Sequence, residues 1–110
     1  MGIVIYYILR DEDGDQFLIV TFKCLNTQEL WTTGKSKRLP SALHRAALRK
    51  LWQLDTAQHL KDLSAPQNNR LELVKNDCQD QFSIHINDHW RMCFIWQDNQ
   101  VYEVEIVDYH

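Results

Sequence analysis

The sequence predicts an α+β fold in which two helices from the N-terminal half pack on one face of a twisted, mainly antiparallel sheet. Three observations lead to this prediction: apolar residues recur with helical spacing over residues 43–54, three alternating apolar segments close the chain, and short polar turns separate those segments. Helices that precede a run of closely spaced strands are typical of α+β domains, in which the apolar helix stripe covers the sheet.

The two N-terminal apolar segments, residues 3–9 and 17–22, predict a β-hairpin. Both are rich in β-branched and aromatic residues, and the Asp13-Gly14 step between them favours a turn. Alternating aspartates in this turn suggest a calcium loop, but the glycine is misplaced and the closing glutamate is missing, so a polar turn is the better interpretation. We therefore expect residues 1–16 to add an edge strand to the sheet, the alternative being a loosely folded upstream start.

Two helices are predicted between residues 26 and 57. Asn26 or Thr27 is a suitable N-cap for a short helix that ends at Gly34. Pro40 opens a longer helix, because its missing N–H costs least in the first turn. The apolar stripe of this helix consists of Leu43, Ala47, Leu51 and Leu54, and the basic residues Arg45, Arg49 and Lys50 fall largely outside it.

The remainder of the chain predicts strands. Residues 71–75 form a short one, and in the next strand Phe82, Ile84 and Ile86 alternate with polar residues. Turns near residues 87–88 and 97–100 lead to two more strands. In the last of these the residues on one side are Tyr102, Val104 and Ile106, and those on the other are Glu103 and Glu105. Strands joined by such tight turns form an antiparallel meander.

Length and charge distribution narrow the class of protein. The 110 residues indicate one domain, residues 1–110. The formal net charge is −3, but residues 35–75 contain nine basic and three acidic side chains. A basic middle of this kind can face phosphate although the whole chain is acidic, and it can equally be a solvated helix face.

Cysteine and histidine usage argues against several kinds of site. The three cysteines have no CxxC spacing, so neither a zinc site nor a disulfide scaffold is indicated, and a reducing cytoplasm fits best. No histidine pair has the spacing of a metal-binding motif, and we expect no metal or other cofactor. The apolar residues 3–9 are too few to span a bilayer, which agrees with a cytoplasmic protein without membrane contact.

Candidate catalytic residues lie near the end of the chain. Asp108, Tyr109 and His110 offer a carboxylate, a phenol that can stack on a base, and an imidazole that titrates near neutrality. These are the groups that acid–base cleavage of RNA requires. Arg91 lies on an otherwise apolar strand and faces either water or a phosphate. On composition alone, a disordered tail and a solvated arginine remain the simpler interpretations.

Several segments, taken in order, resemble a known family. They are Ile19-Val-Thr-Phe-Lys23, Thr33-Gly34, Leu39-Pro40, Leu54-Asp-Thr-Ala57, Arg70-Leu-Glu-Leu-Val-Lys-Asn-Asp77, Asn87-Asp-His-Trp-Arg-Met-Cys-Phe94 and Val107-Asp-Tyr-His110. From about Phe17 to its last residue, the chain resembles the HigB-type killer proteins of the RelE/ParE toxin superfamily. Trp-Arg-x-x-Phe followed by a terminal Asp-Tyr-His is the most specific part of this resemblance.

The resemblance implies a toxin of a type II toxin–antitoxin system that cleaves mRNA at the ribosomal decoding site. In that reaction a ribose 2′-OH attacks the adjacent phosphate and leaves a cyclic phosphate and a free 5′-hydroxyl. Matched by position, Asp108 and His110 correspond to the acid–base residues. Tyr109 corresponds to the base-stacking tyrosine, and Arg91 to the arginine that stabilises the phosphate.

The remaining site residues come from the basic middle of the chain and the segment before the meander. Lys75 corresponds to a basic residue of the family's site, and the further candidates for binding RNA phosphate are Arg70, Arg49 and Lys50. Glu72 stands where the family commonly has a histidine. We include it among the catalytic candidates because a carboxylate with a raised pKa can act as a base, although beside a phosphate it adds negative charge.

The resemblance also implies partners: a HigA-like helix-turn-helix antitoxin in a hetero-oligomer, the ribosome and mRNA. Two alternatives stay open. One is a non-catalytic module that inhibits the ribosome, or another target such as gyrase, by occupancy. The other is an antitoxin-binding relic without toxicity. Deletion of His110 separates an endonuclease, which should lose toxicity, from an occupancy inhibitor, which should largely keep it.

Overall fold

The computed structural model describes residues 4–5, for which only the backbone is considered, together with residues 18–64, 69–74 and 81–108. The elements in chain order are β1 (Val4–Ile5), β2 (Thr21–Phe22), α1 (Leu25–Thr33), α2 (Ser41–Thr56), a 3₁₀ helix (Leu60–Ser64), β3 (Glu72–Val74), β4 (Gln81–His85), β5 (Trp90–Gln97) and β6 (Gln100–Asp108).

The strands form one six-stranded sheet in the order β1-β2-β6-β5-β4-β3. Only the β2–β6 pair among these neighbours is parallel, so the sheet is mainly antiparallel, as predicted. β1 lies at the edge and pairs antiparallel with β2, which confirms the extra N-terminal strand. The acidic turn between the two predicted hairpin segments lies outside the described residues.

The helices cover one face of this sheet, and the apolar stripe of α2 forms much of the core. Ile84, Met92 and Phe94 from the strands lie in the same buried cluster as this stripe. The structure buries all four residues that the helical spacing predicts for it, which are Leu43, Ala47, Leu51 and Leu54. The α+β prediction is therefore confirmed, because the apolar side of the helix covers the sheet.

α1 ends where the sequence predicts but begins differently. Gly34 adopts a left-handed conformation with φ 90°, and its N–H donates to the Leu30 carbonyl at 2.9 Å. The N-cap is Cys24 rather than Asn26 or Thr27, and it makes no side-chain capping bond. Thr27 is buried inside the helix, where its hydroxyl accepts a hydrogen bond from the Ile106 N–H at 3.1 Å. The threonine therefore ties α1 to β6 instead of capping the helix.

α2 follows Pro40 and ends at Thr56, in agreement with the prediction, but Lys50 does not lie outside its buried face. The side chain is 9% exposed, and its ammonium donates to Oδ1 of the fully buried Asn69. The amide of Asn69 donates to the Leu63 carbonyl at 2.8 Å and to Gln53 Oε1 at 3.0 Å. A long aliphatic stem lets lysine follow an apolar surface to a polar partner, which the helical spacing does not reveal.

The ammonium of Lys50 is perturbed by this position. Burial, and secondarily the charge of Arg49, lowers the pKa of Lys50. Both effects disfavour the charged form, because burial removes water from the ammonium and the neighbouring guanidinium repels it. The Asn69 oxygen offsets part of this cost by accepting a hydrogen bond.

The last strand contains an irregularity that changes which side chains face the helices. Cys93 pairs with Glu105 and Ile95 with Tyr102, so the register shifts between these pairs. Glu103 has φ 57°, and its N–H donates to the Thr21 hydroxyl at 2.8 Å. The bulge puts two residues three positions apart, Val101 and Val104, both in the core. The prediction that Tyr102 shares a face with Val104 is therefore wrong.

A buried carboxylate joins the N-terminal part of the sheet to the end of α2. Asp55 is 3% exposed, and its Oδ1 accepts hydrogen bonds from the N–H groups of Leu18 and Ile19, both at 3.2 Å. Because these amides precede β2, the carboxylate holds the start of that strand against the helix. The contact also explains how an acidic residue can lie on the buried side of α2.

Candidate active site on the sheet face opposite the helices

The strand register separates the residues of the meander into two faces. Directly paired residues of antiparallel strands share a face, and alternate residues of one strand point to opposite faces. Ile84, Met92 and Ile106 form one cross-strand row on the helix side. The opposite face, here called the distal face, carries Glu72, Ser83, His85, Arg91, Cys93 and Glu105.

Arg91 is held firmly on the distal face and is only 6% exposed. Its Nε donates to Ser83 Oγ at 2.9 Å, and its Nη2 donates to the Arg70 carbonyl at 3.0 Å. These bonds fix the plane of the guanidinium. The expectation that Arg91 faces either water or a phosphate is corrected in one respect: the side chain is packed among protein groups, because Ser83 and the Arg70 backbone accept hydrogen bonds from it.

Glu72 and Arg70 both lie next to this arginine. Glu72 Oε1 is 3.5 Å from Arg91 Nη2, and the glutamate side chain is 57% exposed. Arg70 has φ 49°, a left-handed conformation that is uncommon outside glycine, asparagine and aspartate. The segment before β3 is thereby shaped so that its carbonyl meets the guanidinium. The structure thus brings together three of the predicted site residues.

His85 is a distal-face residue that is not among the site residues predicted from the sequence. It pairs directly with Arg91 across β4 and β5. Burial lowers its pKa, the positive charges of Arg70, Arg91 and Lys50 lower it further, and Asp88 acts in the opposite direction. A signal was present in the sequence: alternation puts His85 on the face opposite Ile84, and the turn at residues 87–88 sets it across from Arg91.

The predicted terminal cluster is described only in part. Asp108 is the last residue of β6, is exposed, and pairs with Trp90. By alternation its side chain leaves the sheet on the helix side, whereas Val107 pairs with Arg91 on the distal face. Tyr109, His110 and the predicted phosphate ligand Lys75 lie outside the described residues.

Two predicted phosphate ligands on α2 have different surroundings. Arg49 is exposed, while the ammonium of Lys50 is directed to Asn69. A buried amine already bonded to an amide oxygen is poorly placed to meet an RNA phosphate. Of the predicted phosphate ligands that the structure describes, Arg70 is the one whose backbone contacts the Arg91 side chain.

Comparison with known proteins identifies the class of molecule. A family model described as the RelE-like toxin of the type II toxin–antitoxin system HigB matches residues 21–110. The chain belongs to this family. It is 34% identical over 82 residues to Toxin HigB-1 of Vibrio cholerae, a match that covers 74% of this chain and 86% of the relative. It is also 30% identical over 64 residues to an uncharacterized protein of Haemophilus influenzae, covering 58% of this chain and 63% of the relative.

The family confirms the resemblance drawn from the sequence and establishes the general function. This chain is a toxin of a type II toxin–antitoxin system, and such a system implies an antitoxin partner. The match begins at Thr21 and therefore leaves out β1. The extra N-terminal strand is thus an addition to the part of the chain that the family shares.

A basic cavity lies between the end of α1 and the start of α2 of the toxin. Its volume is about 780 Å³, and its lining includes Lys35, Lys37, Arg38 and His44. His44 Nε2 lies 3.0 Å from the carbonyls of both Ser36 and Leu39, and these contacts hold the loop between the helices. The cations of this loop belong to the basic middle of the chain and lie on the helix layer, away from the distal face.

Among the described residues of the toxin, no group of three or more histidine, cysteine or acidic side chains is arranged to hold a metal ion. Cys93 is on the distal face, but burial and the nearby Glu105 raise its pKa, so the group is a thiol rather than a reactive thiolate. In the described part of the chain, no helix combines the length and apolar character needed to cross a bilayer.

Proposed function

We propose that this toxin is a ribosome-dependent endoribonuclease that cleaves mRNA by attack of a ribose 2′-OH on the adjacent phosphate. The observation that carries the proposal is the fixed guanidinium of Arg91 on the distal face. Its bonds to Ser83 and Arg70 prepare a cation for the negative charge that develops on phosphorus. Side chains supply all the acid, base and cationic groups in this reaction, so it needs no metal ion.

The terminal residues supply the remaining chemistry. β6 pairs with β5, and Val107 lies directly across from Arg91. Tyr109 and His110 follow Val107 by two and three residues in the chain. We assign Tyr109 to stacking on an mRNA base and His110 to protonation of the leaving 5′-oxygen. The side chain of Asp108 leaves the sheet on the helix side, which is not the face that carries Arg91. This favours a role in positioning the chain end over direct contact with the phosphate.

The basic residues outside the distal face are proposed to hold RNA rather than to take part in the reaction. Lys35, Lys37 and Arg38 are exposed around the interhelical cavity, and Arg49 is exposed on α2. Exposed cations of this kind bind phosphates without reading sequence. Lys75 is assigned the same role because of its place in the family motif. A HigA-like helix-turn-helix antitoxin, bound in a hetero-oligomer, is the proposed partner that restrains the toxin, which would act in the cytoplasm.

One observation favours a second candidate, inhibition by occupancy without cleavage. The carboxylate of Glu72 lies 3.5 Å from Arg91 Nη2 and partly neutralises the cation that a phosphate would need. In an occupancy inhibitor this ion pair would persist on the ribosome. In an endonuclease the phosphate must displace the carboxylate from Arg91, which is feasible because the glutamate side chain is 57% exposed and can turn to water.

Mapping of mRNA 5′ ends after brief induction tests the proposal. The intact toxin is expected to create new 5′-hydroxyl ends within translated codons, and a Tyr109→Ala, His110→Ala variant is expected to create none, because it lacks the stacking and acid groups. Growth arrest by both proteins without new ends would contradict the nuclease and support occupancy. A His59→Gln variant, altered at an exposed histidine near the 3₁₀ helix, serves as the matched control.

Replacement of Glu72 tests whether this carboxylate is the base. Glu72→Gln is expected to keep the single-turnover cleavage rate within about tenfold of the intact toxin, because the exposed carboxylate pairs with Arg91 instead of being held ready to accept a proton. Rates are measured on preformed complexes of ribosome and mRNA. A loss of roughly 10²-fold or more, the size typical of a missing general base, would instead assign that role to Glu72.

A further inference from the structure

We propose that His85 is the general base that removes the 2′-hydroxyl proton during cleavage. This inference depends on the endoribonuclease function proposed above and names the residue that performs one of its steps. It begins from the cross-strand pairing of His85 with Arg91, which puts the two residues next to each other on the distal face.

The position of Arg91 indicates where the reacting phosphate binds. Directly paired residues on antiparallel strands have Cβ atoms about 4.5–5.5 Å apart. A phosphate held by the guanidinium therefore presents its neighbouring ribose within reach of a side chain on the next strand. His85 is that side chain on β4, and Val107 occupies the corresponding position on β6. Between these two neighbours, only the imidazole can accept a proton.

The surroundings of His85 suit a base because they favour the neutral imidazole. Among the described residues, the charged groups that act on it are Arg70 before β3, Arg91 on β5, Lys50 on α2 and Asp88 in the following turn. Burial is the largest influence, and the three cations add to it, so the pKa lies below the ordinary value of 6.5. Near neutral pH the side chain is therefore unprotonated and able to accept the 2′-hydroxyl proton.

Glu72 fits this role less well. Its carboxylate is more than half exposed and already pairs with Arg91, whereas a general base must be directed at the 2′-hydroxyl. Glu72 and His85 nevertheless lie on adjacent strands, since Glu72 pairs with Ser83 two residues before His85. An imidazole on β4 can thus serve the reaction although the position on β3 holds a glutamate.

The step balances without a further reactant. An imidazole nitrogen of His85 takes the 2′-hydroxyl proton while the 2′-oxygen forms a bond to phosphorus. The bond from phosphorus to the 5′-oxygen breaks, and that oxygen receives a proton from His110. The products are a cyclic phosphate and a 5′-hydroxyl. His85 then releases its proton to water, and His110 regains one from water.

The test measures single-turnover cleavage on preformed ribosome–mRNA complexes at pH values from mildly acidic to mildly basic. His85→Gln is expected to lower the rate about 10²–10⁴-fold while the half-saturating ribosome concentration changes less than about threefold. His89→Gln, at an exposed histidine beyond the same turn, is the matched control and should keep the intact rate. A His85→Gln rate within about threefold of the intact toxin would overturn the inference.

A second measurement separates a chemical role from a structural one and applies even if His85→Gln folds poorly. In the intact toxin the cleavage rate should decline on the acid side of the pH range in step with the NMR titration of the His85 imidazole, whose pKa is lowered by burial and by the neighbouring cations. Arg70→Gln removes a neighbouring cation. It should move both the imidazole titration and the acid side of the pH–rate profile to higher pH. If the acid side of the pH–rate profile stayed fixed while the imidazole titration moved, the base would have to be another group.

The outcomes distinguish this inference from the proposed function. If the intact toxin makes no cut, the endoribonuclease proposal fails and the assignment of His85 fails with it. If the intact toxin and His85→Gln cut equally well, the endoribonuclease stands and only the assignment of His85 fails.

Discussion

Arg91→Ala is expected to lower the single-turnover rate of mRNA cleavage by about 10²–10³-fold. The guanidinium is fixed by Ser83 and Arg70 before any substrate binds, and removing one preorganised charge stabiliser has an effect of this size. Arg91→Lys should lose most of the rate as well, because an ammonium keeps the charge but not the planar set of donors. The rates are measured on the same ribosome–mRNA complexes as for His85.

The control for Arg91 is another cation, Lys23, which directly follows β2. Lys23 Nζ lies 3.5 Å from Glu105 Oε2, and the lysine side chain is 51% exposed, so Lys23→Ala removes a positive charge and leaves Arg91, Ser83 and Arg70 unchanged. We expect this variant to cleave at close to the intact rate. Circular dichroism and antitoxin binding verify that Arg91→Ala is folded. A folded Arg91→Ala protein that still cleaves within about tenfold of the intact rate would remove Arg91 from the mechanism.

Asn69→Ala is expected to lower the free energy of unfolding by about 3 kcal/mol. Asn69 is fully buried and bonds to Lys50, Gln53 and the Leu63 carbonyl. Alanine leaves the Lys50 ammonium buried without the oxygen that accepts its hydrogen bond, which costs more than the loss of an exposed contact. Urea denaturation of the isolated toxin, followed by circular dichroism, measures the change.

Two variants test the physical reason for this loss. Gln58→Ala removes an exposed amide and should change the free energy of unfolding by no more than about 0.5 kcal/mol. The double variant Lys50→Met, Asn69→Leu replaces both buried polar groups by apolar ones and should regain much of the stability lost in Asn69→Ala. An Asn69→Ala protein as stable as the intact toxin would show that the buried network contributes little.

Local patterns were sufficient for most of the fold. Gly34 ends α1 because only a left-handed residue closes the helix there, and Pro40 precedes α2 because its ring suits the start of a helix. The polar turns at residues 87–88 and 97–100 join β4, β5 and β6 as predicted. Each of these features depends on a few neighbouring residues, which is why the sequence reveals them.

The errors have a common physical cause, since each involves a partner far away in the chain. Thr27 bonds to the Ile106 amide from inside α1, and Lys50 turns inward to Asn69. The bulge at Glu103 is supported by the Thr21 hydroxyl on another strand. Spacing along one segment contains no information about such partners, so helical and strand periodicity place these side chains wrongly.

The candidate site also combines features that depend on neighbouring residues with features that depend on partners far away in the chain. The fold class, the toxin family and the choice of Arg91 as a candidate could all be predicted before the structure was known, because they follow from local patterning and from motifs in a fixed order. The packing of Arg91 against Ser83 and Arg70, and the pairing of His85 with Arg91 that accompanies its lowered pKa, could be seen only in the folded chain. Burial and the charges of neighbouring strands set the protonation of a side chain, and both exist only once the strands are paired.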